Sequence, residues 1–322
     1  MKKIAIVLGE PKSINVEIIA KSWFNLSANF KKKIFLIGSY DLLKKQLKNL
    51  NLSLKIDKIT SLQNWQNNKK LKILDVPLKY KNLSKIKKKN NSVYILKCLD
   101  LAHEIAINKD IVGFINCAID KKKVFGTKKI GVTEYLGKKN KTKNKEVMML
   151  YNKNISVIPL TTHINLKDVN KKINKKLIED KIITLTNFYK KIFAKKPLIA
   201  LLGLNPHNDE IRANSEEKKI IIPVIKKLKK LNHKIEGPFP ADTAFSKVFI
   251  NKYDVIVGMY HDQVLAPFKA IYNFDAINIT LGLKYLRLSP DHGVGENIIG
   301  KKKANCLSLL TCIKFLLNVE ND

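Results

Sequence analysis

The sequence predicts an α/β fold built on a mostly parallel sheet. Two observations carry this reading. Short apolar runs bounded by turn residues recur along the 322-residue chain, and stretches of helical length with one apolar face lie between several of them. A third observation limits the topology: there is no internal repeat and no long linker, so two domains in this chain must share strands or interleave.

Taken in order, the runs are KIAIVLG (3–9), KIFLIGS (33–39), IVGFINCAI (111–119), NISVIPLT (154–161), PLIALLGLNP (197–206), YDVIVGMY (253–260) and DAINITLGL (275–283). Each is continuously apolar rather than alternating, which is what a parallel strand covered on both faces requires. VEIIAKSWFNLSANF, IEDKIITLTNFYKKIF and EEKKIIIPVIKKLKKL have the length and one-sided apolar pattern of helices between them. Residues 51–91 are the most polar and Lys/Asn-rich stretch and are expected to form surface strands and loops without chemistry.

The formal net charge is +34, from 61 Lys and Arg against 27 Asp and Glu, which raises the question of nucleic acid. Only Arg212 and Arg287 are arginine. Proteins that read bases rely on the bidentate guanidinium fork, which lysine cannot imitate, so no specific nucleic-acid partner is expected. The excess is read as solvated surface with a weak general pull on anionic ligands. Cys98, Cys117, Cys306 and Cys312 form no CxxC pair and no secreted-scaffold spacing, as for reduced thiols in a cytoplasmic protein. Glu10 and Lys12 interrupt the first apolar run too early for a signal peptide, and no run is long enough to span a bilayer, so no membrane partner is expected.

Two phosphate-loop patterns fail. GENIIGKK has the glycine spacing of a P-loop but carries Lys302 where a magnesium-binding hydroxyl belongs, and GVGENI places Ile298 at the third glycine of a dinucleotide loop. The six histidines say more. His103 lies in a helix-like stretch and His233 in a lysine-rich turn expected to be exposed. His163 (PLTTHI), His207 (LGLNPHNDE), His261 (VGMYHDQ) and His292 (SPDHGVG) stand at strand endings or tight turns, where ligands of open α/β sheets bind. Singly, each fits a structural histidine; three converging would make a divalent metal site with open positions for substrate oxygens. Near them lie Asp242 in GPFPADTAF, whose bland reading is a helix N-cap, and Lys269, whose bland reading is surface. Asn278, Asp291 and Arg287 share NITLGLKYLRLSPDHG, and an arginine in so lysine-rich a chain points to bidentate grip of a carboxylate or phosphate.

TTHINLKDV, GLNPH, GPFPADTAF, MYHDQVLAPFKA and INITLGLKYLRLSPDHG, in this order and spacing, resemble the 4-hydroxythreonine-4-phosphate dehydrogenase family of vitamin B6 biosynthesis. The likeness runs from GEPKSINVEI to GKKKANCLSLLTCI. It implies a three-layer α/β/α fold similar to isocitrate and isopropylmalate dehydrogenases: two subdomains flanking a cleft, residues 1–125 with 288–322 on the cofactor side and residues 126–287 carrying metal, substrate and dimer contacts. It implies a homodimer with the active site at the interface, His163, His207 and His261 as metal ligands drawn from both subunits, and zinc, magnesium or cobalt as the metal. Thr133, Lys269, Asn278 and Arg287 are implied to contact substrate, Asp242 to lie near the metal, and His292 and Asn305 to lie near the adenosine of NAD or NADP.

The implied chemistry is oxidation of 4-phosphooxy-L-threonine at C3 by hydride transfer to NAD, then metal-assisted decarboxylation to 3-amino-2-oxopropyl phosphate, on the route to pyridoxine 5'-phosphate. Lys269, Arg287 and Lys121 are available to meet the substrate's anionic groups, and a Lys or Asp, with Lys269 and Asp242 in view, to take the hydroxyl proton. The chain departs from the family pattern in places: Val132 stands where GHTE has its histidine, SINVE replaces early glycines while keeping Glu17, the glycine pair after GLNPH is gone, and DHGTA reads DHGVG. These departures leave two alternatives: a dehydrogenase of a phosphorylated sugar acid (4-phosphothreonate or 4-phosphoerythronate), or a non-catalytic relative that binds anions or nucleic acid.

Overall fold

The computed structural model describes residues 3–63, 65, 68–80, 82, 86–126, 131–142, 145–273 and 275–319. The described strands are β1 (Lys3–Val7), β2 (Ile34–Gly38), β3 (Ile56–Ile59), β4 (Leu71–Asp75), β5 (Ile111–Asn116) and β6 (Val147–Tyr151). They continue with β7 (Ser156–Thr161), β8 (Ile199–Leu202), β9 (Ile235–Phe239), β10 (Val255–Tyr260), β11 (Ile277–Leu281) and β12 (Leu286–Pro290). The chain divides into two compact units, Met1–Gly131 with Lys284–Asp322, and Val132–Leu283. The α/β class is as expected.

In the first unit the strand order is β3-β4-β2-β1-β5-β12, and every pair in it is parallel. Ile4, Phe35, Leu36, Ile37, Phe114 and Ile115 are wholly or almost wholly buried along these strands. The polar stretch 51–91 holds more structure than expected, because β4 lies inside it between β2 and β3 and buries Leu71 and Ile73 completely. Its Lys72 is also buried, and the charge is met across the strand by Asp57 at 3.1 Å.

In the second unit the order is β11-β6-β7-β10-β8-β9. β7, β10, β8 and β9 are parallel neighbours, as continuous apolar runs require. The run at 275–283 reads as another parallel strand, and β11 does run in the direction of β7, but the strand inserted between them, β6, is antiparallel to both. The reason is the tight turn at Asn152–Ile155, which reverses the chain so that β6 also runs antiparallel to β7. The core of this unit gathers Val157, Ala200, Leu202, Ile256, Val264, Leu265 and Phe268, with Phe239 and Phe249 packed against it.

The β6–β7 ladder has a structural consequence. It pairs only Leu150 with Val157 and Tyr151 with Ser156, so Pro159 lies beyond it and leaves no ladder hydrogen bond unmade on that side. Among the described residues no helix is long and apolar enough to cross a membrane.

Candidate functional site

In the second unit the three strands that end in histidines are adjacent, in the order β7-β10-β8. His163 follows β7 by two residues, His261 opens the helix directly after β10, and His207 follows β8 in a turn. Carboxyl ends of parallel strands leave backbone groups and side chains facing an open crevice, which is why such positions collect ligands.

The structure brings His163 and His261 together, with ring centroids 6.2 Å apart. His261 Nδ1 lies 2.6 Å from Asp262 Oδ1, and His163 Nδ1 lies 3.5 Å from Glu134 Oε1. A carboxylate at Nδ1 fixes the imidazole orientation and leaves the Nε2 lone pair for another partner, the usual surrounding of a metal-ligating histidine. Each side chain is 37% exposed, so the pair is reachable from solvent. The donor set therefore suits a divalent metal. His207 does not join the pair: among the described residues of one chain, no three His, Cys, Asp or Glu side chains come together as a metal site.

His207 sits instead in a left-handed turn. His207, Asn208, Asp209, Glu210 and Ile211 have φ of 48°, 57°, 47°, 49° and 54°, although none is glycine. Each such residue costs roughly 1–2 kcal/mol. The turn is held from beneath. The fully buried Glu217 accepts hydrogen bonds through Oε1 from Leu204 N at 2.7 Å and Asn205 N at 2.9 Å, and through Oε2 from Asn205 Nδ2 at 3.0 Å. Asn208 Nδ2 donates to Pro238 O at 3.1 Å. Gly203 has no room for a side chain, since a Cβ there would collide with Asn208 Oδ1 and come within 3.1 Å of Glu217 Oε1.

The implied substrate residues of this unit fall into two groups. Thr133, on the helix Val132–Lys139, lies with its Oγ1 3.2 Å from Thr280 Oγ1, and Thr280 shares a face of β11 with Asn278. Asn278 Oδ1 is buried without a hydrogen-bond partner. Lys269 is exposed on the helix His261–Tyr272, and Asp242 is exposed in the turn after β9. The N-cap reading of Asp242 is corrected: the next helix, Lys247–Lys252, is capped by Ser246, whose Oγ accepts from Phe249 N. Val132 is only 4% exposed, so the position expected to carry a phosphate-binding histidine packs into the core.

Where β6 leaves β7, a cavity of about 510 Å³ opens, lined among others by Thr133, Glu134, Thr161, Thr162 and Lys181. Burial pushes Lys181 below the ordinary lysine range, against the pull of Glu146, Glu134 and Asp180. Sequence reasoning passed over Glu134, Lys181 and Glu217. Glu134 and Glu217 stood beside the motifs it used, in GVTE and in the acidic pair after GLNPH, while Lys181 was one lysine among many.

The first unit holds the remaining residues. Arg287 lies within β12, is 3% exposed, and donates from Nε to Asn116 Oδ1 at 2.5 Å. Lys121 is exposed at the start of the helix Lys121–Phe125, which Asp120 caps through Lys123 N. His292 Nδ1 donates to Gly293 O at 2.8 Å, so its Nε2 is an acceptor when the ring is neutral, and Nε2 is buried without a partner. Burial pushes the His292 pKa below its ordinary value. An orphaned acceptor in this loop suits the hydroxyl or amine donors of a nucleotide. The loop is tied down by Glu17, whose Oε1 accepts from Ala304 N at 2.9 Å, and by Lys21, which donates to the carbonyls of Lys302 and Ala304. Asn305 is exposed and its Oδ1 accepts from Leu307 N at the start of the last helix. His103 is half-buried and bonded to the Tyr285 hydroxyl. His233, expected on the surface, is also half-buried and bonded to Thr186.

Comparison with known proteins gives a consistent result. Residues 30–316 match the family model described as pyridoxal phosphate biosynthetic protein PdxA. The chain is 35% identical to a 4-hydroxythreonine-4-phosphate dehydrogenase of Sulfurihydrogenibium sp. (strain YO3AOP1), covering 98% of both chains. It is 29% identical to a D-threonate 4-phosphate dehydrogenase of Salmonella typhimurium (strain LT2), covering 99% of both. Among solved structures, the 4-hydroxythreonine-4-phosphate dehydrogenase of Klebsiella pneumoniae superposes with a TM-score of 0.84 at 26% identity, covering 99% of each chain. Isocitrate dehydrogenase of Methylococcus capsulatus, at 10% identity and a TM-score of 0.52 over 99% of this chain and 85% of its own, is similar in fold alone.

Proposed function

The chain belongs to the family of the pyridoxal phosphate biosynthetic protein PdxA, and from that premise we propose that it is a 4-hydroxythreonine-4-phosphate dehydrogenase. The reaction is oxidation of 4-phosphooxy-L-threonine at C3, with NAD or NADP as hydride acceptor, followed by decarboxylation to 3-amino-2-oxopropyl phosphate. The observation that carries this reading is the His163–His261 pair at adjacent strand ends, each ring with a carboxylate beside Nδ1, in a chain similar end to end to enzymes named for this reaction.

His163, His207 and His261 are the proposed holders of a divalent metal (zinc, magnesium or cobalt), with a homodimer completing the ligand set that the described residues of one chain leave incomplete. When bound, the metal supplies Lewis acidity for oxidation and for loss of carbon dioxide. Asp262 and Glu134 orient the two imidazoles. Thr133 and Asn278 donate hydrogen bonds to substrate, and the Asn278 amide, whose Oδ1 has no hydrogen-bond partner among the described residues, has an acceptor to spare for a substrate donor. Lys269 and Arg287 meet the substrate's anionic groups. The hydroxyl proton goes to Lys269 or Asp242, directly or through water. In the cofactor half, His292 Nε2 and Asn305 take the adenosine end. The enzyme is proposed to work in the cytoplasm.

Val132 favours a second reading within the same chemistry, oxidation of 4-phospho-D-threonate or a related phosphorylated sugar acid, because the phosphate end lacks the expected histidine. NADH formation with each substrate in the presence of Co²⁺, Zn²⁺ or Mg²⁺ decides between them. Turnover of 4-phosphooxy-L-threonine that disappears in His163→Ala supports the first reading. Turnover of the sugar acid alone replaces it with the second, and no turnover of either in an intact dimer leaves a binding protein.

A further inference from the structure

The three histidine-bearing strand ends are joined to one another by side chains that do not belong to the proposed ligand set. At the end of β7, Thr161 Oγ1 donates to Met259 O of β10 at 2.7 Å. Met259 N donates to Gln263 Oε1 at 2.7 Å, and Gln263 Nε2 donates to Gly203 O, just past β8, at 2.8 Å. From Gly203 the row continues into the Leu204 and Asn205 amides that Glu217 holds, and through Asn208 to Pro238 of β9. Thr161 lies two residues before His163, Met259 two before His261, and Gly203 four before His207. Gly258 leaves the space this needs, because a Cβ there would stand 2.8 Å from Gln263 Oε1.

Strand pairing fixes Cα register, but it does not set the path of the chain beyond the last ladder bond. The Gln263–Gly203 tie acts in that region, past the last β10–β8 pair of Val257 with Leu201, while Thr161 fastens the last β7–β10 pair, its own with Tyr260. We infer that Thr161, Gln263 and Glu217 are positioning residues: together they lock the turns that carry His163, His261 and His207 at a fixed mutual spacing. The inference rests on the proposed reading of those histidines as metal ligands. Gln263 is the centre of the row, since its single amide serves both neighbours, accepting from β10 and donating to the end of β8. Partners behind histidine ligands typically contribute tenfold to hundredfold in metal affinity, and a tie that sets the spacing of three ligands falls in the same range.

Co²⁺ titration of the metal-free protein, followed by visible absorption, tests this with a readout independent of turnover. Gln263→Leu and Thr161→Val are expected to weaken Co²⁺ binding by roughly tenfold to hundredfold and to shift the absorption bands, which report ligand geometry, while Thr161→Ser, which keeps the hydroxyl, restores both. In the metal-free Gln263→Leu protein the Met259 amide loses hydrogen-exchange protection. Wild-type Co²⁺ affinity and bands in Gln263→Leu and Thr161→Val, each folded by circular dichroism, overturn the inference while the histidine reading stands. Unchanged Co²⁺ binding in His163→Ala, His207→Ala and His261→Ala overturns the histidine reading, and the tie with it. Should Gln263→Leu not fold, the Thr161 Val/Ser pair decides alone.

Discussion

Replacing Glu217 tests whether the left-handed turn at His207 is held from below. Glu217 is 0% exposed and its Oε1 accepts from two backbone amides at 2.7 and 2.9 Å. Glu217→Leu keeps the side chain's bulk but removes both acceptors, and each amide left without one costs about 1–3 kcal/mol. The expected loss is therefore about 2–6 kcal/mol for the unit that contains it, plus a few tenths for the negative charge removed from a helix start. Glu217→Gln retains an amide carbonyl able to accept from both N–H groups, and should lose less than half as much. The assay must watch the right unit: both tryptophans, Trp23 and Trp65, lie in the other one, so fluorescence would miss the effect. Urea unfolding by far-ultraviolet circular dichroism, with hydrogen exchange of the Leu204 and Asn205 amides, reports on it directly. A Leu variant that loses under about 1 kcal/mol, or a Gln variant as impaired as Leu, refutes the reasoning.

Two further predictions concern protonation in the other unit. Burial pushes the His292 pKa down, so its stabilising contribution is complete above the unfolded value and is lost as pH falls through and below it. Nitrogen-resolved magnetic resonance should show the ring taking up its second proton at a lower pH than an exposed histidine does, with the neutral form protonated on Nδ1; protonation at or above the exposed-histidine pH contradicts the geometry. Burial alone would raise the Asp57 pKa, but hydrogen bonds from Asn68, Lys70 and Lys72 outweigh it and hold the carboxyl at about 2. That contribution is complete above the unfolded value of 3.8 and fades as pH falls towards 2. Asp57→Asn should flatten the acid limb of unfolding over that window, and an unaltered limb counts against the triad.

The strands legible in the sequence were those made of short, mainly apolar runs bounded by turn residues: β1, β2, β5, β7, β8, β10 and β11. Three of the strands that escaped, β4, β12 and β9, carry a charged residue held by a partner elsewhere in the chain. β4 hides Lys72, which Asp57 neutralises, and β12 hides Arg287, whose Nε Asn116 accepts. β9 reads as a turn because it contains Glu236, Gly237 and Pro238. The reversed strand β6, between β11 and β7, escaped because its methionines and short length carry little pattern. The site divided in the same way. Histidines at strand ends stood out by rarity and place, whereas Glu134 and Glu217 are recognisable only once the fold sets them under His163 and the His207 turn.

The local rules of chain conformation are broken at the same ends where the histidines sit. Five consecutive non-glycine residues turn left-handed after β8, and a π-helical turn at Glu217–Ile221 aims a fully buried carboxylate beneath them. Strain of this kind persists only where surrounding contacts over-determine it, and it concentrates where function demands a fixed arrangement. The +34 charge shows no such concentration; lysines occupy exposed positions in both units, and the buried Lys72 is answered by Asp57. Drift in surface composition and constraint at three strand ends are thus separable in one chain. The loss of glycines after GLNPH supports this, because the turn keeps its left-handed path without them. A segment free to relax would have abandoned that path, so the network under Gly203, Asn208 and Glu217 must outweigh roughly 1–2 kcal/mol of strain at each of the residues it holds.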